Sequence, residues 1–469
     1  MPAAMLLYLF SGLDKGNLGN AKTIGMVGEE GLGADPSGSK YALLNAFYFL
    51  GYALFLIPTT LFAKRTKMNI VLGCSGIVWG ICASCTAAVN TYGQAEATRF
   101  LVGFGESGYG PVIPGTPSES LLCALRSSCA PVPSRQFFSR LGWNISLRVF
   151  LGFITGLIAY GVTFTHSRVE PWRLLFIIEG VPAIVAGLYA LWILPGDLLI
   201  TKRLTEKERA CALVRIGRGG SHESHKINWK HALNTLISWQ ILLRRSSITV
   251  KTPRNVPKLT YLSIIVVGAA IGAFLPTLVA DVGYTGAIAQ VYTLPPYGTA
   301  AIVMLIVAWV SDRYGKRGPG MLLGMGMMSM GFAMLVGLKP DHHAGRYAAL
   351  VFCETGQFIT IPLNLTWVAE NSGNGSRRAF ALPFVIACAQ ALAIASGYMF
   401  PAKDKPVYHL GSSVCLSLTS LGFAVSLLYI FLLRRANAKK DAEEGPVDPT
   451  LVPDTATYAD KARGFRYVW

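Results

Sequence analysis

The sequence predicts an all-α polytopic membrane protein of nominally twelve transmembrane helices in two six-helix halves, with helix 1 truncated and helix 4 disrupted. Three observations predict it. Apolar segments recur along the chain, clearest at 41–63, 70–90, 173–195, 259–280, 286–310, 346–368 and 411–433. Each is close to the roughly 20 residues a helix needs to cross a bilayer. The 469-residue chain is 52% hydrophobic and only 14% charged, against about a quarter charged in an ordinary soluble domain. Lysine and arginine gather in alternate connections: 64–67, 140–148, 202–258, 313–317, 377–378 and 434–440. Placing all of these in the cytoplasm gives one self-consistent topology with both termini inside. The net charge of +17 therefore belongs to membrane faces. A nucleic-acid surface would not alternate with spans.

Taken in order, the first span covers about 1–26. It reads as the second half of a helix, because Met1–Leu13 lacks a basic leader and runs straight into polar residues. Spans follow at 41–63, 70–90, 97–115, 145–164 and 173–195, closing a first half of residues 1–195. Residues 196–257 carry 12 Lys or Arg against three Glu and one Asp, a basic cytoplasmic linker suited to an anionic leaflet. The second half, 258–435, holds spans at 258–280, 286–310, 319–338, 346–368, 378–400 and 411–433. Residues 436–469 are polar and contain proline, the composition of a disordered cytoplasmic tail. Two six-helix halves around a central loop is the plan of pseudo-symmetric transporters, whose substrate site lies at the midplane between the halves.

Polar groups inside the spans mark where chemistry could sit, since they are costly in a bilayer and face a cavity or a partner. Arg99, Gly103, Glu106 and Gly110 share one helical face. That face offers a cation for an anion and a protonatable carboxylate, or else a structural ion pair between helices. Asp14 and Asn17 share a face of the first span, as a functional pair or a helix-end salt bridge. Asn45, Tyr48 and Tyr52 continue a stripe from Tyr41, lining a pocket or joining an interfacial aromatic belt. Gln290 and Tyr297 flank the Pro295–Pro296 break in the eighth span, and Glu354, Gln357 and Asn364 share a face of the tenth. Proline at membrane depth frees carbonyls that must face protein, water or ligand. Either polar face could equally tie helices together. Glu179, before Gly180 and Pro182 in the sixth span, fits packing as well as transport.

Enzyme readings find little support. All seven histidines fall in loops or at helix ends, so no intramembrane metal site is expected. Asp341–His342–His343 is followed by Ala344, without the thiol an acyltransferase motif needs. The nine cysteines show no metal or redox spacing, and no Walker loop is present. No cofactor is expected, and energy would come from an ion gradient or from the substrate's own.

Several motifs resemble a known family. Trp309-Val-Ser-Asp-Arg-Tyr-Gly-Lys-Arg317 resembles the loop between helices eight and nine of the major facilitator superfamily. More specifically, Leu13-Asp-Lys-Gly-Asn-Leu-Gly-Asn-Ala21, Arg99 to Gly108, Trp172 to Pro182, Gly283 to Tyr297, Trp367 to Asn371 and Tyr398 to Tyr408 resemble the fungal allantoate permease family of anion:cation symporters. The resemblance implies proton-coupled uptake of a small organic anion (allantoate, ureidosuccinate, nicotinate, pantothenate or a similar carboxylate) by alternating access, in a multi-pass plasma-membrane monomer. The polar faces described above make Asn45, Tyr48, Tyr52, Arg99, Gln290, Tyr297, Gln357 and Asn364 the candidate substrate contacts, and Asp14, Glu106 and Glu354 the candidate proton-coupling groups. The superfamily resemblance implies a cytoplasmic gate at Asp312, Arg313, Lys316 and Arg317.

The chain departs from the family pattern at two internal stretches. Residues 115–136 contain three prolines and two arginines where helix four should continue. Residues 244–257 form a basic insertion ahead of helix seven. Retained introns or a shifted reading frame would produce such breaks. The alternative function is therefore a non-transporting relative, either a nutrient receptor or a defective product.

Overall fold

The computed structural model describes residues 2–28, 31–35, 37–66, 68–108, 154–165, 168–194, 256–284, 287–371, 375–445 and 462–469. Among these, twelve principal helices follow one another. They are α1 (Pro2–Ala21), α2 (Ser39–Arg65), α3 (Met68–Cys85), α4 (Tyr92–Ser107), α5 (Ile154–Thr163) and α6 (Pro171–Ile193) in the first half. The second half contributes α7 (Val256–Asp281), α8 (Leu294–Tyr314), α9 (Gly318–Gly337), α10 (His343–Asn371), α11 (Gly375–Ala393) and α12 (His409–Glu444). Eight of them are long and apolar enough to cross a membrane. Their outer faces keep large apolar side chains exposed, such as Trp192, Ile302 and Phe431. That suits hydrocarbon rather than water.

The helix boundaries refine the sequence expectation. Helix α4 begins at Tyr92 rather than near 97, because Thr91 caps it by accepting the Gln94 backbone N–H. Pro295 and Pro296 mark a break between two helices, as the sequence implies. They fall in the first turn of α8, where a missing N–H costs nothing, and the short helix Ala287–Val291 ends just before them. Helix α1 runs 20 residues and continues through a five-residue π-helical turn, Lys22–Met26, ending the span at 26 as expected. The expected break in helix four after Gly108, the basic linker and the 244–257 insertion lie outside the described residues.

The tail departs most from expectation. Residues 436–444 are not disordered but form the last turns of α12. Residues 462–469 return to the cytoplasmic end of the second half. There Asn437 brackets Tyr467, accepting its N–H and donating to its carbonyl at 2.8 Å. Asn371 does the same for Val468 at 2.9 Å. Trp367 Nε1 also donates to the Val468 carbonyl, and the Arg317 backbone N–H donates to that of Trp469. Low hydrophobicity suggested disorder for the tail as a whole. Its last eight residues include Phe465, Tyr467 and Trp469, and these aromatics find a partner surface.

Close helix packing in the first half depends on small residues. A Cβ at Gly103 of α4 would lie 2.1 Å from the Tyr48 carbonyl oxygen of α2, and one at Gly51 would lie 2.3 Å from that of Phe100. No side chain fits there, so α2 and α4 press backbone to backbone. The halves meet at their external ends. Tyr41 Oη donates to the Ala273 carbonyl at 2.8 Å, Asn45 donates to Ser396 Oγ at 3.2 Å, and Gln290 Nε2 donates to Thr23 Oγ1. Lys22 lies over the rings of Tyr41 and Phe274, one from each half. These contacts join the two halves at the ends that the charge pattern places outside.

Candidate functional site

The helical rise brings the buried charges of the first half to similar depth. Helix α1 runs outward while α4 and α6 run inward. Asp14, Arg99 and Glu179 each lie seven or eight residues from the external end of their helix, about 10–12 Å at 1.5 Å per residue. Arg99 Nη1 approaches Asp14 Oδ1 at 3.6 Å, with both side chains almost fully buried at 3% and 4% exposure. The guanidinium also lies over the Phe176 ring of α6 at 4.9 Å. Its Nε and Nη2 have no hydrogen-bond partner among the described residues. Unpaired buried donors cost about 1–3 kcal/mol each, more when charged. Those two edges are therefore suited to an acceptor from outside the protein.

Glu106 sits two turns further along the same face of α4. It accepts from Ser11 Oγ of α1 and Tyr48 Oη of α2. Tyr52 packs beside Tyr48 with ring centroids 6.2 Å apart. Asn17 of α1, one helical turn from Asp14, donates to Glu179 of α6. The structure thus brings together Asp14, Tyr48, Tyr52, Arg99 and Glu106, and adds Ser11, Asn17 and Glu179.

The predicted residues of the second half separate into two groups. Tyr297 and Glu354 are electrostatic neighbours, and Thr299 meets Thr355 at 3.4 Å between the same helices. Gln357 spends its amide donor on the Ile264 carbonyl of α7 at 2.9 Å, closing against Gly268, and keeps Oε1 without a partner. Asn364 is fully buried with neither amide atom partnered among the described residues. Asn45 and Gln290 stand apart, at the external seam.

The cytoplasmic group also divides. Arg317 bonds Asp312 at 2.6 Å and grips Glu370 with two parallel bonds of 3.0 and 2.8 Å. Burial works against its charge, but hydrogen bonds and charge from Glu370 and Asp312 outweigh it and hold the pKa above the ordinary arginine value. The Lys316 carbonyl accepts from Ser311 Oγ, which in turn accepts from Arg317, while the Arg313 and Lys316 side chains approach aromatic rings. They lie over Trp309 at 5.5 Å and Trp469 at 4.3 Å. Glu370, absent from the expected gate, falls within the Trp367–Asn371 motif. Its partner Arg317 caps α9, 53 positions away, so only the tertiary fold shows the pairing. No group of three or more metal-ligating side chains occurs among the described residues.

A two-halved helical bundle, joined at one end and carrying buried charges between its helices, defines a multi-pass membrane transporter rather than an enzyme. The chain belongs to the Major Facilitator Superfamily, whose sequence profile matches residues 138–382, more than half its length. It is 28% identical over 455 residues to the major facilitator-type transporter hxnP of Emericella nidulans, covering 95% of this chain and 86% of that one. It is also 28% identical over 483 residues to the high-affinity nicotinic acid transporter of Saccharomyces cerevisiae, covering 100% and 83%. The fold is similar to that of a D-xylose-proton symporter, with a TM-score of 0.64 at 15% identity over 91% of this chain and 95% of that one. A bacterial homolog of the lysosomal transporter Spinster aligns with a TM-score of 0.60 at 15% identity, covering 96% and 98%.

Proposed function

We propose that this transporter is a proton-coupled symporter for a small organic anion, of the allantoate permease type, acting as a monomer in the plasma membrane. One observation carries the reading: Arg99 is buried at mid-bundle with two donor edges unpartnered among the described residues, beside carboxylates. A guanidinium stays charged and binds a carboxylate through two parallel bonds. Asp14 holds it in the empty site and yields it to the substrate. Tyr48 and Tyr52 line the first wall, and Tyr297, Gln357 and Asn364 offer an uncharged second wall. Glu106 and Glu354 take up and release protons as the site opens to either side.

Asn45 and Gln290 act at the external seam, where breaking their inter-half bonds opens the outer face. Arg317 with Asp312 and Glu370 organises the inner gate, assisted by Arg313 and Lys316 at the membrane surface. The linker 196–257 joins halves 1–195 and 258–435. The nicotinic acid transporter among the relatives supports a monocarboxylate of that size.

The test is uptake of labelled nicotinate in cells expressing the chain. Accumulation that rises at acidic external pH and collapses with an uncoupler is expected. Equal uptake at acidic and neutral pH, or surface expression with no uptake of nicotinate, allantoate or pantothenate, would overturn the reading.

A further inference from the structure

Residues 464–469 run back along α12 toward α10, and the surface beneath them holds their main chain. Asn437 of α12 accepts the Tyr467 N–H and donates to the Tyr467 carbonyl, both at 2.8 Å. Asn371, the last residue of α10, does the same for Val468, both at 2.9 Å. In an extended chain the N–H and C=O of one residue face one edge, and those of the next residue face the other. Two asparagines on two helices therefore stand where two neighbouring strands would stand. Four more groups continue the pattern. Trp367 Nε1 donates to the Val468 carbonyl at 2.8 Å, the Arg317 N–H to that of Trp469 at 3.1 Å, and Lys440 Nζ to that of Phe465 at 3.0 Å. Glu444 accepts the Gly464 N–H at 3.0 Å.

The receiving groups are held in place by their own helices. The Trp367 ring packs edge-on against Tyr429 at 4.6 Å, and Asn371 Nδ2 also donates to the Tyr429 hydroxyl at 3.3 Å. Neither contact involves residues 462–469. Side chains of the returning segment add selectivity at three positions. Arg466 meets Asp441 at 2.7 Å and Glu444 at 2.8 Å. Tyr467 is buried, and the Trp469 ring lies beneath the cations of Arg434 and Lys316.

We propose that the cytoplasmic ends of α10 and α12, together with Arg317, form a peptide-binding groove whose tethered ligand is residues 464–469 of this chain. The ligand class is an extended peptide held through its main chain, with aromatic residues at the positions of Tyr467 and Trp469 and a cation at that of Arg466. The groups that hold it come from the α8–α9 turn, α10 and α12, so the occupied groove clasps three helices beside the Arg317–Glu370 pair. Nothing in this recognition requires the ligand to be covalently joined, so the same peptide binds from solution when the tethered copy is absent. The groove is separate from the Arg99 site and does not depend on the proton-symport reading.

The test uses the full chain carrying Tyr467→Pro and Val468→Pro. These changes remove the two bracketed N–H groups and leave every groove residue intact. A fluorescein-labelled synthetic peptide of residues 462–469 is titrated into this variant and into the wild type, with fluorescence anisotropy as the readout. The variant should bind the peptide. The wild type should bind at least about tenfold more weakly, because a tethered competitor acts at an effective concentration in the mM range. No binding to the variant would overturn the groove, and equal binding to both proteins would overturn the tail as its occupant. A peptide carrying Val468→Ala should bind within about threefold of the parent, and one carrying Val468→Pro at least about tenfold more weakly, since it leaves Asn371 Oδ1 unpaired. Equal affinity of those two peptides would overturn main-chain recognition. Should the double variant fold poorly, hydrogen–deuterium exchange of the wild type replaces it. The Tyr467 and Val468 amides should be protected there and exchange at least about tenfold faster in Asn437→Ala. Unprotected amides in the wild type, or equal rates in the two chains, would overturn the proposal.

Discussion

The two halves present different interiors to the space between them. The first buries a guanidinium and three carboxylates, Arg99, Asp14, Glu106 and Glu179. The second places Glu354 among the neutral groups of Gln357, Thr360 and Asn364, and its other buried charges, Asp312, Arg317 and Arg346, sit at or near helix ends. Close glycine packing serves both halves: α2 and α4 meet with no room for a Cβ at Gly51 and Gly103, and so do α9 and α10 at Gly331 and Gly356, whereas Gly298 on α8 has open space around it. The contrast separates charge recognition from shape. In the proposed reading the first wall carries the charges that hold an anion, and a close-packed helix pair keeps those charges in register. The second offers amides and rings that can follow a substrate's outline, with Glu354 as its one buried charge away from the helix ends.

Arg99 is the sharpest point at which to break that contrast. Arg99→Ala strands Asp14, and breaking a buried pair costs about 3–5 kcal/mol. Nicotinate uptake should fall by at least roughly 100-fold, which corresponds to about 2.7 kcal/mol. Arg99→Lys should fail nearly as badly, because an ammonium cannot reproduce the two-pronged geometry. Full uptake by the lysine variant, measured at matched surface expression, would place anion recognition elsewhere.

Packing gives the next effect. Gly103→Ala should lower Tm in detergent, with overpacking costs of about 1–3 kcal/mol, because the new methyl meets the Tyr48 carbonyl at 2.1 Å. Gly298→Ala should leave Tm unchanged or raise it slightly, since nothing lies within 4 Å and the unfolded chain loses freedom. Equal shifts in the two variants would remove the packing difference between these two sites.

Asn364 tests the neutral wall. Asn364→Leu removes a buried amide that has no partner among the described residues, so stability should hold or improve. The KM for nicotinate should rise by up to about tenfold, or 1.4 kcal/mol, with no change in pH dependence. A changed pH profile would mean the second half also handles protons through this residue.

The smallest effect is expected at the returning tail. Trp469→Ala removes ring contacts with Arg434 at 3.9 Å and Lys316 at 4.3 Å, each worth about 0.5–1 kcal/mol at exposed sites. A modest fall in Tm with unaltered uptake is expected. A change in uptake without one in Tm would tie the tail to the gate, where Arg317 pairs with Asp312 and Glu370.

Much of this was legible in the sequence, and for identifiable reasons. Spans such as 70–90 and 173–195 announce themselves because a bilayer-crossing helix satisfies its own backbone, which makes it a local property. The Arg99–Gly103–Glu106 face was readable because helical spacing is local too. The Asp312–Arg317 pair lies five residues apart in one motif, and it forms at 2.6 Å. Glu179 was visible as a polar residue in an apolar span, but not as part of the Arg99 cluster. Its partner Asn17 is 162 positions away.

The amino-acid sequence by itself determined the helical membrane class, the order of the spans and which side chains would be costly to bury. Hydropathy, charge alternation and helical period are all read within a few turns of chain. Tertiary structure alone decided which costly side chains compensate one another. It sent Asn45 and Gln290 to the external seam, joined Glu370 to Arg317 and folded residues 462–469 back onto α10 and α12. Those pairings cross 30 to 351 positions of sequence. Only the packing of distant helices brings such groups within hydrogen-bonding distance.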